Sequence, residues 1–71
     1  MTKYILVTGI PYQDSIIRGD FNDLERAYAS YERWNKKLEE DHKTFSNKFF
    51  SEIWEYEGSD FVKCVCRFET N

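Results

Sequence analysis

The chain has 71 residues, with ten Lys and Arg against thirteen Asp and Glu, a formal net charge of −3. That balance argues against a non-specific nucleic-acid binder, which normally presents a basic surface. Aromatic residues make up 18% of the chain, too many for a disordered tail. A chain this short reads as one domain spanning residues 1–71, and a core of that size rarely supplies more than about 3–5 kcal/mol, so self-association or partner binding is a natural supplement.

Lys3 to Ile10 (KYILVTGI) is rich in β-branched and aromatic residues and predicts a strand. Its apolar run from Tyr4 to Val7 is unbroken, as expected of a central strand covered on both sides. Pro11 ends it, because proline lacks the ladder donor. Ser15 to Arg18 is read as a short return strand, with a loop carrying one buried isoleucine as the alternative. Gly19, before Asp20, is expected to let the chain turn into a helix.

The helix is the clearest element. Asn22 is the expected N-cap, with Glu25 three residues on as its capping-box partner and Asp20 as a rival cap. Leu24, Ala27, Tyr28, Tyr31, Trp34 and Leu38 recur at helical spacing along one stripe. His42 and Lys43 bring positive charge to the far end, where the helix dipole favours it. Asn35 interrupts the stripe, either at its exposed edge or as a buried amide that specifies packing. Phe45 is expected to pack in the connection that follows.

A second hairpin runs from Asn47 to Phe68 around Glu57-Gly58-Ser59-Asp60. Gly58-Ser59 as the two central residues suits a type II′ turn. That register pairs Tyr56 with Phe61 and Trp54 with Lys63. It places Phe49, Ile53, Val62, Cys64, Cys66 and Phe68 on one face, under the helix. The other face receives Phe50, Glu52, Trp54, Tyr56, Phe61, Lys63, Val65 and Arg67. A three-residue turn is the alternative: it would slip the register by one and set Trp54 with Val62 and the cysteines, and Ile53 opposite Lys63. It is disfavoured because it does not segregate Lys63 and Arg67 from Ile53. The expected architecture is α+β: a small antiparallel sheet, β-β-α-β-β, or β-α-β-β without the second strand, with one helix on one face.

The search for chemistry returns absences. His42 stands between Asp41 and Lys43, without the apolar cleft and orienting partner of a general base. The serines lie in no nucleophile motif, and the glycines form no phosphate-cradling loop. Two thiols and one histidine do not close a zinc site. Cys64 and Cys66, two apart on a strand, sit roughly 7 Å apart, too far for an unstrained disulfide. They read as free thiols, which fit a reducing cytoplasm. No run of roughly 18 apolar residues predicts a membrane span, and the N-terminus lacks the pattern of a signal peptide. No cofactor is expected, and the chain is read as a non-enzyme.

What remains is the helix-free sheet face. Large exposed apolar patches mark interfaces, and Trp, Tyr, Phe and Arg are enriched there. Phe50, Trp54, Tyr56, Phe61, Lys63, Val65 and Arg67 are therefore the candidate partner-binding residues, with the acidic turn of Glu55, Glu57 and Asp60 beside them. The expected partner is a protein, including a second copy of the chain. Single-stranded nucleic acid stacked on the aromatics, or a structural homodimer with no further ligand, are the alternatives. In size, charge and missing motifs the chain is similar to the small acidic one-domain proteins with which phages and mobile elements inhibit host enzymes, including anti-CRISPR proteins. That resemblance implies an inhibitor working in a host cytoplasm, and it carries over no functional residue.

Overall fold

The unbroken apolar run of the first strand is explained by its position at the centre of the sheet. The computed structural model covers Met1 to Asn71 and contains β1 (Thr2–Gly9), β2 (Ser15–Phe21), α1 (Leu24–Phe45), β3 (Phe50–Glu57) and β4 (Asp60–Glu69). All neighbouring strands are antiparallel, in the order β2-β1-β3-β4. The fold is thus α+β. β1 is paired on both edges, and its Leu6 and Val7 are buried on opposite faces. The return strand is real and longer than expected, extending through Phe21.

The helix packs its stripe against one face of this sheet. Ala27 meets Leu6 and Ile53 in the fully buried centre, with Tyr31, Trp34 and Leu24 packed around them. The small side chains of Ala27 and Ser30 are both buried on α1. Tyr28, at the margin of the stripe, is exposed. Tyr31 sits beside Cys66, and burial first, then the thiol, pushes its phenol up to about 12. No helix of the chain is long and apolar enough to cross a membrane.

Several local expectations are corrected. Asp23, not Asn22 or Asp20, is the N-cap, and its side chain accepts a hydrogen bond from the Glu25 backbone N–H at 3.0 Å. A carboxylate there satisfies an orphan donor and also complements the helix dipole. Gly19 does not turn the chain into the helix. It lies inside β2, where an added Cβ would come within 2.5 Å of the Phe21 ring. Phe45 belongs to the last helical turn rather than the connection and is exposed. The helix ends at Ser46, whose φ of 61° is left-handed and whose N–H donates to the His42 carbonyl at 2.8 Å. His42 serves this stop as well: its Nδ1–H donates to the Asn47 carbonyl.

Asn35 interrupts the stripe as a partly buried amide at its edge, and it is hydrogen-bonded rather than idle. Its Oδ1 accepts a hydrogen bond from the hydroxyl of Ser51, a fully buried residue on β3. The β1–β2 connection is a turn with Gln13 N–H donating to the Ile10 carbonyl, Pro11 at its second position, and Tyr12 at φ 64°. A positive φ after proline is the type II pattern, which glycine ordinarily fills. The second hairpin turns as expected: Glu57 pairs with Asp60, Gly58 has φ 61°, and Ser59 is not left-handed. A positive φ at the first central residue alone is the type II′ signature.

Candidate functional site

The register beyond that turn differs from expectation, and the difference rebuilds the candidate face. Tyr56 pairs with Phe61, as expected. Trp54 then faces Cys64, not Lys63, because β4 carries an extra residue at Val62; a second extra residue, Val65, sets Cys66 opposite Ile53. A bulge places two residues against one on the partner strand and shifts the alternation that follows. Lys63 comes opposite Glu55, on the side of Ile53, rather than beside Trp54. Val65 packs with Cys66 against the helix-side core. Cys64 faces out beside Trp54 instead of lining the core. A strictly alternating strand cannot reveal two extra residues, which is why the sequence misplaces all three.

The helix-free face therefore holds Trp54, Tyr56, Phe61 and Arg67 of the expected set, together with Phe50. The aromatic rings form a small cluster. Phe61 meets Trp54 edge-on at 6.3 Å and Tyr56 edge-on at 5.7 Å between ring centroids. Edge-to-face contact suits the ring quadrupoles and fixes the rings relative to one another. Phe61 is 56% exposed even so. The Trp54 indole N–H donates to Glu52 Oε1 at 2.8 Å. Glu52 also pairs with Arg67, whose other arm reaches Glu69 at 2.6 Å. These two carboxylates, Glu69 first, raise the Arg67 guanidinium above its ordinary value. Arg67 in turn lies 4.6 Å above the Phe50 ring. Phe50 is therefore covered, at 8% exposure, and presents no free ring to a partner.

Four further residues belong to the face. Lys3 and Ile5 on β1 and Ile17 and Asp20 on β2 line, with Trp54 and Tyr56, a shallow hollow of about 250 Å³. Ile17 is 67% exposed, and Lys3 pairs with Asp20 at 3.5 Å. The signal for Ile5 was present in the central position of β1, whose alternate residues must reach the helix-free side. Ile17 follows only once β2 is accepted as a strand.

The acidic turn is less free than its composition suggests. Glu57 accepts from the N-terminal ammonium at 2.8 Å and from the Thr2 hydroxyl at 2.7 Å. Those bonds hold its carboxyl below the ordinary carboxylate range. Glu55 faces Lys63 across the ladder, and Asp60 closes the hairpin opposite Glu57. No three His, Cys, Asp or Glu side chains converge as a metal-binding group would require.

A second concavity, which sequence reasoning missed, lies on the helix side. It is a cleft of about 470 Å³ between α1, the β1–β2 turn and the start of β3. Arg18 and Trp34 form part of its wall.

Compared with known proteins, the chain matches no family model, no curated protein and no solved structure.

Proposed function

We propose that the chain is a non-enzymatic protein-binding domain that works through the helix-free sheet face, and that its first partner is a second copy of itself. The observation that carries this reading is the Trp54–Phe61–Tyr56 cluster: an ordered set of rings, with Phe61 more than half exposed and the equally exposed Ile17 across the shallow hollow that Trp54 and Tyr56 line. Preorganised aromatics cost little entropy on docking and are typical anchors. The charges on this face are paired within the chain, Lys3 with Asp20 and Arg67 with Glu52 and Glu69, so they raise little repulsion against a second copy. Only six hydrophobic residues are buried within one chain, so a second copy on this face would enlarge a small core.

The more specific form of the reading is an inhibitor of a host enzyme, of the kind phages and mobile elements encode. Small size and net negative charge support it. The two free thiols support a reducing, cytoplasmic setting. Dilution of the ¹⁵N-labelled chain tests the contact itself. Between about 1 mM and about 10 µM, the range in which weak homodimers dissociate, amide and indole shifts should move at Ile5, Ile17, Trp54 and Phe61 and stay fixed on the outer surface of α1. Shifts that are independent of concentration would refute self-docking.

A further inference from the structure

The cleft on the helix side is lined by apolar side chains from three elements, Ile10 and Ile16 of the first hairpin, Leu38 of α1 and Phe49 before β3. Its charged lining residues are Arg18, Lys37, Asp14 and Asp41, and of the two cations Arg18 is the one with no ion-pair partner. This residue is the extra one in the β1–β2 ladder, where Leu6 pairs with Gly19 and Val7 with Ile17. Such bulges re-aim a side chain, and they are over-represented next to functional sites. Arg18 follows Ile16 onto the helix side, and the bulge sets it beside Gly19 there, with its guanidinium 4.2 Å from the centroid of the Trp34 ring. The Nε donates to the hydroxyl of Thr8 at 2.9 Å, and Thr8 is buried.

Arg18 is therefore held on two sides but not neutralised. It makes no ion pair within the fold, in contrast to Arg67, which engages two carboxylates. Two acids stand at the same cleft without answering it. Asp41 is turned to Lys37 at 3.9 Å, and Asp14 lies exposed on the turn. A guanidinium fixed through Nε keeps its two terminal nitrogens for a planar, two-oxygen acceptor. The volume falls within the range of small-molecule sites, which combine apolar walls with a few placed polar groups.

We infer that this cleft binds a small organic carboxylate with an apolar body, its carboxylate paired with Arg18 and its body against Leu38, Ile16 and Phe49. The site lies on the opposite side of the sheet from the aromatic face and does not depend on the docking proposed there.

Octanoate is the probe, with 1-octanol as its neutral counterpart of equal length, each titrated into the ¹⁵N-labelled full chain. Octanoate should give saturable shifts at Gly9, Ile16, Arg18, Leu38 and Phe49. It should bind about tenfold or more tightly than 1-octanol, as expected when a charged hydrogen-bond pair is added. Arg18→Gln should abolish that preference, and Arg18→Lys, which keeps the charge without the fork, should fall between. The comparison of the two ligands on the unaltered chain decides the matter even where a variant folds poorly. Absence of saturable shifts, shifts on the sheet face instead, equal binding of the two ligands, or undiminished octanoate binding by a folded Arg18→Gln chain would each overturn the assignment.

Discussion

Cys64 and Cys66 lie two residues apart on one strand yet face opposite sides of the sheet. Cys64 stands opposite Trp54 on the helix-free face, and Cys66 stands opposite Ile53 beneath Tyr31, because Val65 is an extra residue between the cysteines while their partners are consecutive. Burial raises both thiols above their ordinary value, with the Glu52 charge adding to the effect at Cys64. Thiolate is the reactive form, so alkylation of either should be slow at neutral pH and should accelerate as pH rises. Iodoacetamide should modify Cys64 well before Cys66, and peptide mass mapping reads the order directly. Self-docking on this face adds a second signature: Cys64 labelling should slow as protein concentration increases. Faster modification of Cys66 would mean that the β4 bulges are wrongly placed.

The Asn35–Ser51 pair ties α1 to β3 through one polar contact. Ser51 is fully buried, whereas Asn35 retains partial access to water. Asn35→Leu strands the serine hydroxyl and should cost about 1–3 kcal/mol. Ser51→Ala leaves an amide that water can still reach, and should cost about 0.5–1.5 kcal/mol. The double variant should cost less than the sum of the two, since both remove one interaction. Urea unfolding of the four chains gives these differences; strict additivity would show that the pair is not coupled.

Glu57 makes stability depend on pH in a defined window. Its folded carboxyl is held below the ordinary range by the N-terminal ammonium and Thr2. A depressed folded value means the unfolded chain takes up the proton first as pH falls. The contribution is thus fully present above the ordinary glutamate range, near pH 4.3, and is lost as pH falls through the lower folded value. The gap in stability between the natural chain and Glu57→Gln should therefore be constant from neutral pH to about pH 5 and close below about pH 4. Parallel stability curves down to acid pH would show that the contact is not formed in solution.

The sequence was most legible where one residue type permits one conformation or one pattern permits one face. Gly58-Ser59 forced the turn and hence the Tyr56–Phe61 pair. The stripe from Leu24 to Leu38 forced the helix face. The apolar run Tyr4–Val7 marked the central strand. What it hid were the three bulged positions, Arg18, Val62 and Val65, each an ordinary residue whose identity does not announce an extra place in the ladder. Val62 moved Lys63, Cys64 and Val65 across the sheet, and Val65 set Cys66 opposite Ile53. The third sets Arg18 beside Gly19 on the helix side, where it meets Trp34. Phe50 was placed on the correct face but not seen to be covered, since that depends on where Arg67 is held by Glu52 and Glu69.

The sheet face is tested most directly by sedimentation equilibrium of the natural chain beside Ile17→Lys and Phe61→Lys. Both residues are more than half exposed, so the variants should keep the fold and its circular dichroism. The natural chain should pass from monomer to dimer between about 10 µM and about 500 µM, the range for a modest interface. Each variant should remain monomeric throughout. A natural chain that is monomeric at the highest concentration, or variants that dimerise as it does, would contradict the account.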